Sequence, residues 1–255
     1  MRAGGERPRP AGDGMPRLRM ADVLAHGARD AVVRKPAGLS SEAPGAGARA
    51  GGHRASAPPT LVAQVRELLG WPDAQLPHRL DRVTRGFVVV ARDREAVAMH
   101  NERIRAGAWA KRYLARVRPP AGGAVRDVAA LVGEHRAYLR REGAVARVVR
   151  SGGDPSRLTV EAAAPAPGRA GEWHVRVLLG TGRYHQVRAM LANLGAPLVG
   201  DLDYGGAPGP MWLEHAWLSF PSIEDGSART FFEPQDPGRE PVDPSVLAGL
   251  SRDTH

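Results

Sequence analysis

His78-Arg79-Leu80-Asp81-Arg82-Val83-Thr84-Arg85-Gly86 runs straight into Phe87-Val88-Val89-Val90-Ala91, so a polar loop delivers one carboxylate to the start of an apolar, β-branched run. The run reads as a buried strand. Arg79, Arg82 and Arg85 surround Asp81 in the loop. Opposite charges within about 4–6 Å lower a carboxylate pKa from its reference near 3.9, so these neighbours are expected to hold Asp81 ionised and able to act as a nucleophile. The same residues also fit a surface ion pair worth about 0–1 kcal/mol, and the loop alone leaves both readings open.

Downstream, Asp93 predicts the N-cap of a helix running to about Arg105, and Gly107 ends it before a strand over 109–117. In that strand Lys111 and Tyr113 share one face and Arg112 takes the other. Tyr113 offers a stacking ring and a phenolic proton carrier, or simply a core side chain. Strands are predicted at 144–149, 158–163, 172–179 and 211–220. Between the last two, Thr181-Gly182-Arg183-Tyr184-His185-Gln186-Val187-Arg188 turns into a helix from Tyr184 to Leu194. Its spacing puts Val187, Met190, Leu191 and Leu194 on one side, with His185 and Arg188 facing away on the other. The backbone N–H groups of that helix start, with Arg183, His185 and Arg188, suit a phosphate or a carboxylate; a capped helix with a solvated face is the plainer alternative.

Upstream, Ala31-Val32-Val33 leads into Lys35-Pro36-Ala37-Gly38, a strand ending in a turn. Thr60 predicts the cap of a helix carrying Leu61, Val62, Val65, Leu68 and Leu69 and stopping at Gly70. Residues 1–27 read as a disordered basic arm, 41–59 as a flexible loop and 233–255 as a polar tail, which leaves one domain over 28–232.

Across 255 residues Lys+Arg number 36 and Asp+Glu 27, a formal charge of +9 that makes a polyanion, nucleic acid first, the expected partner. An arginine-rich composition set by a GC-rich genome gives the same balance. The absence of cysteine excludes disulfides, thiolate nucleophiles and Cys-ligated metals. The nine histidines are scattered without a close metal-ligand spacing, so neither a metal nor a cofactor is expected. No apolar run is long enough to span a bilayer, and the N-terminus lacks a signal-peptide core, so a soluble, cytoplasmic monomer is expected.

Five segments in one order change the weighing. Lys35-Pro36-Ala37-Gly38, HRLDRVTRG from His78, KRY from Lys111, GRYHQVR from Gly182 and GAPLVGDLDYG from Gly195 together resemble the RluA-type family of pseudouridine synthases over about residues 31 to 220. The resemblance implies an α+β fold, a mainly antiparallel mixed central sheet flanked by helices, with a basic catalytic cleft in the 28–232 domain. It implies isomerisation of specific uridines in structured rRNA or tRNA through a flipped-out base. Residue by residue, it makes Asp81 the catalytic aspartate, Tyr113 the active-site tyrosine and Arg188 the arginine that pairs with Asp81. Arg79 would lie against RNA near the extruded nucleotide, and Arg82, Lys111, Arg183, His185 and Gln186 are the further candidates for substrate contact.

Departures from the family pattern bear on substrate choice: Arg85 where Ser is common, Met190 where His is common, and the long Gly-rich 41–59 stretch. No N-terminal RNA-binding module of the S4 type is visible, as in family members acting on tRNA and on large-subunit rRNA. A catalytically silent RNA-binding homologue is the alternative, and it leaves the set Asp81, Tyr113 and Arg188 unexplained.

Overall fold

Valine-rich strands with little polar surface between them dictate a sheet covered on both sides. In the computed structural model, which describes residues 16–43, 59–236 and 238–250, that sheet has ten strands. In chain order the elements are β1 (Val23–His26), β2 (Asp30–Lys35), α1 (Leu61–Leu69), β3 (Arg85–Ala91), α2 (Arg94–Arg105), β4 (Ala110–Val117), β5 (Gly133–Glu142), β6 (Val145–Val149), β7 (Asp154–Pro165), β8 (Trp173–Leu179), α3 (Gln186–Asn193), β9 (Leu213–Pro221), β10 (Ala228–Phe232) and α4 (Pro244–Leu247). Strand order is β1-β2-β3-β9-β4-β8-β7-β5-β6, with β10 also on β9. Every named pairing is antiparallel except β3 with β9, which run parallel for only two residue pairs, Arg85 with Glu214 and Gly86 with His215.

This is the mixed, mainly antiparallel α+β architecture that the resemblance implies. The two long predicted helices start where their caps were read: Thr60 Oγ1 accepts from Ala63 N–H, and an Asp93 carboxylate oxygen accepts from Ala96 N–H. Alternation along β4 holds as well. Tyr113, Ala115 and Val117 join the core beneath α1 and α3, while Leu114 joins a second cluster with Trp212, Trp217, Val246 and Leu250 on the opposite face.

Three boundaries differ from the sequence reading. Of the 1–27 arm, residues 1–15 lie outside the described residues. Met20–Asp22 is a 3-10 turn and β1 is an edge strand on β2, because Val23, Leu24 and Ala25 find a ready ladder there. Most of the 41–59 loop also lies outside the described residues, although Ser41 is buried and hydrogen-bonded to Leu80 in both directions. The 233–255 tail is packed as far as it is described. Val246 and Leu250 are buried, and its acidic residues meet arginines of the sheet: Glu233 with Arg34, Asp236 with Arg85, Glu240 with Arg116.

Candidate active site

The loop carrying Asp81 is held from beneath by the β2 turn. Gly38 N–H donates to Arg82 O at 2.8 Å, Arg82 Nε returns a bond to Gly38 O at 3.0 Å, and Ser41 Oγ donates to Leu80 O at 2.7 Å. Lys35, fully buried, donates from Nζ to Pro36 O at 3.0 Å and Arg82 O at 3.3 Å. Thr84 N–H closes a turn on Asp81 O at 3.0 Å. The chain then enters β3 through Gly86, whose φ is +117° and where a Cβ would stand 2.2 Å from His215 O. Only glycine lets β3 approach β9 this closely. Asp81 is thereby fixed at the end of a central strand, beside a cavity of about 910 Å³.

Arg79, Lys111, Tyr113, Arg183, His185 and Arg188 line the same cavity with Asp81. Its polar wall comes from the start of α3. Contrary to the sequence reading, Arg188 does not face solvent: it is buried, and so is every residue from Gln186 to Leu191. Nor is Asp81 its main partner. Arg188 Nε and Nη2 bind Asp201 at 2.8 and 2.7 Å in a bidentate pair, and Nη2 reaches Asp203 at 3.1 Å. Arg188 Nη1 stands 4.0 Å from Asp81 Oδ2, and His185 Nε2 stands 3.9 Å from Asp81 Oδ1. Asp201 therefore orients the guanidinium and keeps it charged against the opposing effect of burial, which leaves one edge turned to Asp81.

The electrostatics of Asp81 also differ from the expectation drawn from its neighbours in sequence. Burial raises its pKa above the usual carboxylate value, against the pull of Arg188, Arg79 and Lys35 and with a push from Asp201. Two of the three loop arginines give little help. Arg82 turns to Gly38, and Arg85 is half-buried with Nη2 on Asp236 at 2.6 Å. The Tyr113 phenol is pushed up by burial and by Asp81, so it stays neutral. Its ring stacks on His215, with centroids 4.7 Å apart.

Gln186 lines the cavity and also shapes the turn beside it: its Oε1 accepts from Thr181 Oγ1 at 2.8 Å and Arg183 N–H at 3.0 Å, and its Nε2 donates to Arg157 O at 2.9 Å. Arg82, by contrast, does not line the cavity. Asp201 and Tyr204 belong to the site but were singled out for no role in the sequence. The signal was present in Gly200-Asp201-Leu202-Asp203-Tyr204-Gly205, a short glycine-bounded turn dense in polar groups. Among the described residues no three His, Asp or Glu side chains converge as a metal-holding group, and no helix is long and apolar enough to cross a membrane.

The family model for RNA pseudouridylate synthase matches residues 31–193, which carry Asp81, Tyr113 and Arg188. The chain belongs to this family. Within it the relatives are of the RluA type. Ribosomal large subunit pseudouridine synthase D of Pseudomonas aeruginosa is 32% identical over 177 residues, 69% of this chain and 50% of the relative. Dual-specificity RNA pseudouridine synthase RluA of Escherichia coli is 30% identical over 213 residues, 80% of this chain and 89% of the relative. The chain thus spans about half the length of several curated relatives that it matches. Its fold is shared with the solved structure of human RNA Pseudouridylate Synthase Domain Containing 1, at a TM-score of 0.63 and 23% identity over 89% of this chain and 86% of that one.

Proposed function

We propose that this chain isomerises uridine to pseudouridine in structured RNA, with Asp81 as the nucleophile. The observation that carries the reading is the Asp81 carboxylate at the cavity wall, 4.0 Å from an arginine that is itself locked by a second carboxylate. Arg188 is thus a fixed positive charge held near Asp81, a preorganised partner for the ionised form.

The reaction breaks N1–C1′, turns the detached uracil and joins C5 to C1′, releasing the C5 hydrogen as a proton. An ionised Asp81 serves attack at C1′, removal of a sugar proton, and addition at the base C6, and all three routes start from the same carboxylate. Tyr113, neutral and on the cavity wall, acts as a ring for the extruded base and as a proton donor, not as a phenolate base. The target uridine must leave its stack at a cost of a few kcal/mol. Exposed Arg79 and Arg183 at the cavity offset that cost through phosphate contacts. Large-subunit rRNA is the first proposed substrate, in line with the name of the Pseudomonas aeruginosa relative, and tRNA is the second.

Asp81→Asn keeps the size of the side chain and removes its charge. The folded variant is expected to bind RNA as tightly as the parent and to release essentially no tritium from 5-tritiated uridine in a verified substrate. Near-parental release by a variant with parental melting temperature would end this reading. If Asp81 only formed a structural ion pair, stability and turnover would fall together.

A further inference from the structure

His185 is the one described residue other than glycine with a positive φ, at 51°. A side chain other than glycine held in the left-handed region is strained and persists there where its surroundings fix it. It caps nothing, since its side chain makes no capping bond to α3. What fixes it is a pair of tyrosines. The imidazole stacks on Tyr184, centroids 3.8 Å apart at 17°, and Tyr184 Oη donates to Ala144 O at 3.1 Å with the Arg141 guanidinium 4.3 Å from its ring centroid. On the other side Tyr204 Oη lies 3.0 Å from His185 Nδ1 and accepts Ala146 N–H at 2.7 Å. Both tyrosines tie the ring to the turn between β5 and β6.

While it accepts from Ala146 N–H, Tyr204 Oη is also placed to donate its own proton to His185 Nδ1, an arrangement that leaves the ring proton on Nε2. Arg188 Nη1 is nearly equidistant from the two ring nitrogens, at 3.1 and 2.9 Å, so it favours a neutral ring without choosing between them. Burial and Arg188 lower the His185 pKa to about 4.

We propose that His185 is a positioning residue for Asp81: a neutral imidazole whose Nε2–H, set by Tyr204, is aimed at Asp81 Oδ1 and tightens onto it when RNA fills the cavity. The inference rests on Asp81 being the nucleophile. At 3.9 Å the two atoms stand beyond direct hydrogen-bond range, so the proposed contact needs them to close by about 1 Å. The other groups acting on Asp81 are Arg79 from its own loop, Lys35 from β2, Arg188 from α3, Asp201 and Tyr204 from the 201–204 turn, and Tyr113 from β4. Among them a neutral donor lowers the cost of ionising a buried carboxylate without adding a second cation beside Arg188.

Nitrogen-15 NMR of the imidazole and carbon-13 NMR of the Asp81 carboxyl test this without any substrate. The expected spectrum has Nε2 protonated and Nδ1 bare at neutral pH, a mixture of tautomers in Tyr204→Phe, and an Asp81 midpoint that is higher in His185→Ala and returns toward the parent in His185→Gln, whose amide keeps a donor. In turnover, His185→Ala lowers kcat about tenfold at little change in KM and moves the acid limb of the profile upward, with partial recovery in His185→Gln. A proton on Nδ1, or an Asp81 midpoint unmoved in a folded His185→Ala, overturns the proposal whatever the turnover. If His185→Ala does not fold, the tautomer in the parent and in Tyr204→Phe decides. A parent protein that releases no tritium from any rRNA or tRNA instead overturns the function, and the NMR result still decides where the His185 proton points.

Discussion

Lys35 links the packing of the fold to the charge of the site. Its Nζ is buried on two backbone carbonyls, one of them in the loop of Asp81, and burial lowers its pKa to about 7 against a weaker opposing pull from Asp81. The unfolded chain holds this proton up to about pH 10, so the folded protein bears the full cost of a buried cation below about pH 7 and sheds it as the pH rises. Stability from this group therefore increases between those two values. Lys35→Met removes the titration and leaves two carbonyls bare. Melting curves at about pH 6 and about pH 9 should show the parent gaining on the variant as the pH is raised. An unchanged difference between the two would mean that Lys35 is not titrating. The sequence marked Lys35 as the residue before a turn and the first of a family segment but gave its side chain no role, because nothing in a tetrapeptide tells that it folds back under a loop more than forty residues away. By contrast Asp81, Tyr113 and Arg188 were legible, since each sits in a motif whose neighbours constrain it. That Arg188 answers first to Asp201 was not, because the path from α3 to the turn at Asp201 is a matter of tertiary packing.

At the scale of elements, helices and core strands were readable because caps and periodicity are local. Thr60, Asp93 and Gly70 stand where they were read. The elements that escaped are those whose apolar face is thin. β5 offers the core little beyond Ala137 and Leu139 amid its arginines, and β10 is a short edge strand. The C-terminal segment escaped for an electrostatic reason. Glu240 joins Arg116, whose side chain is 1% exposed, and accepts from His174 Nε2 at 2.7 Å, partners that lie far back in the chain. Glu240→Gln should cost about 2 kcal/mol, less than a bare buried charge because Glu172 still meets Arg116 at 3.0 Å. Denaturant unfolding reads that loss. Turnover per folded molecule should be unchanged, since this contact lies on the sheet face opposite α3.

For the whole molecule, the formal charge of +9 already nets paired arginines against their carboxylates, so what RNA meets is set by which cations stand exposed. Arg34, Arg85, Arg116, Arg188 and Arg239 are committed to carboxylates within the fold. The exposed arginines that line the cavity, Arg79, Arg105, Arg157 and Arg183, remain to meet phosphate. RNA affinity should still fall steeply with salt, with a slope near −0.7 to −0.9 per phosphate neutralised, and Arg79→Ala should flatten it by about one contact. A slope that does not change in Arg79→Ala would place the RNA elsewhere on the surface. The pairing order of the sheet carries a different consequence, for the time at which the enzyme comes into being. β9 lies between β3 and β4, so until residue 213 and beyond have been synthesised the chain holds two half-sheets with bare inner edges and no seam between them. Asp81 belongs to one half and Arg188 to the other. During synthesis the sheet therefore does not bring Asp81 and Arg188 together until β9 has emerged from the ribosome, and the nascent half-sheets are the species most exposed to misassembly.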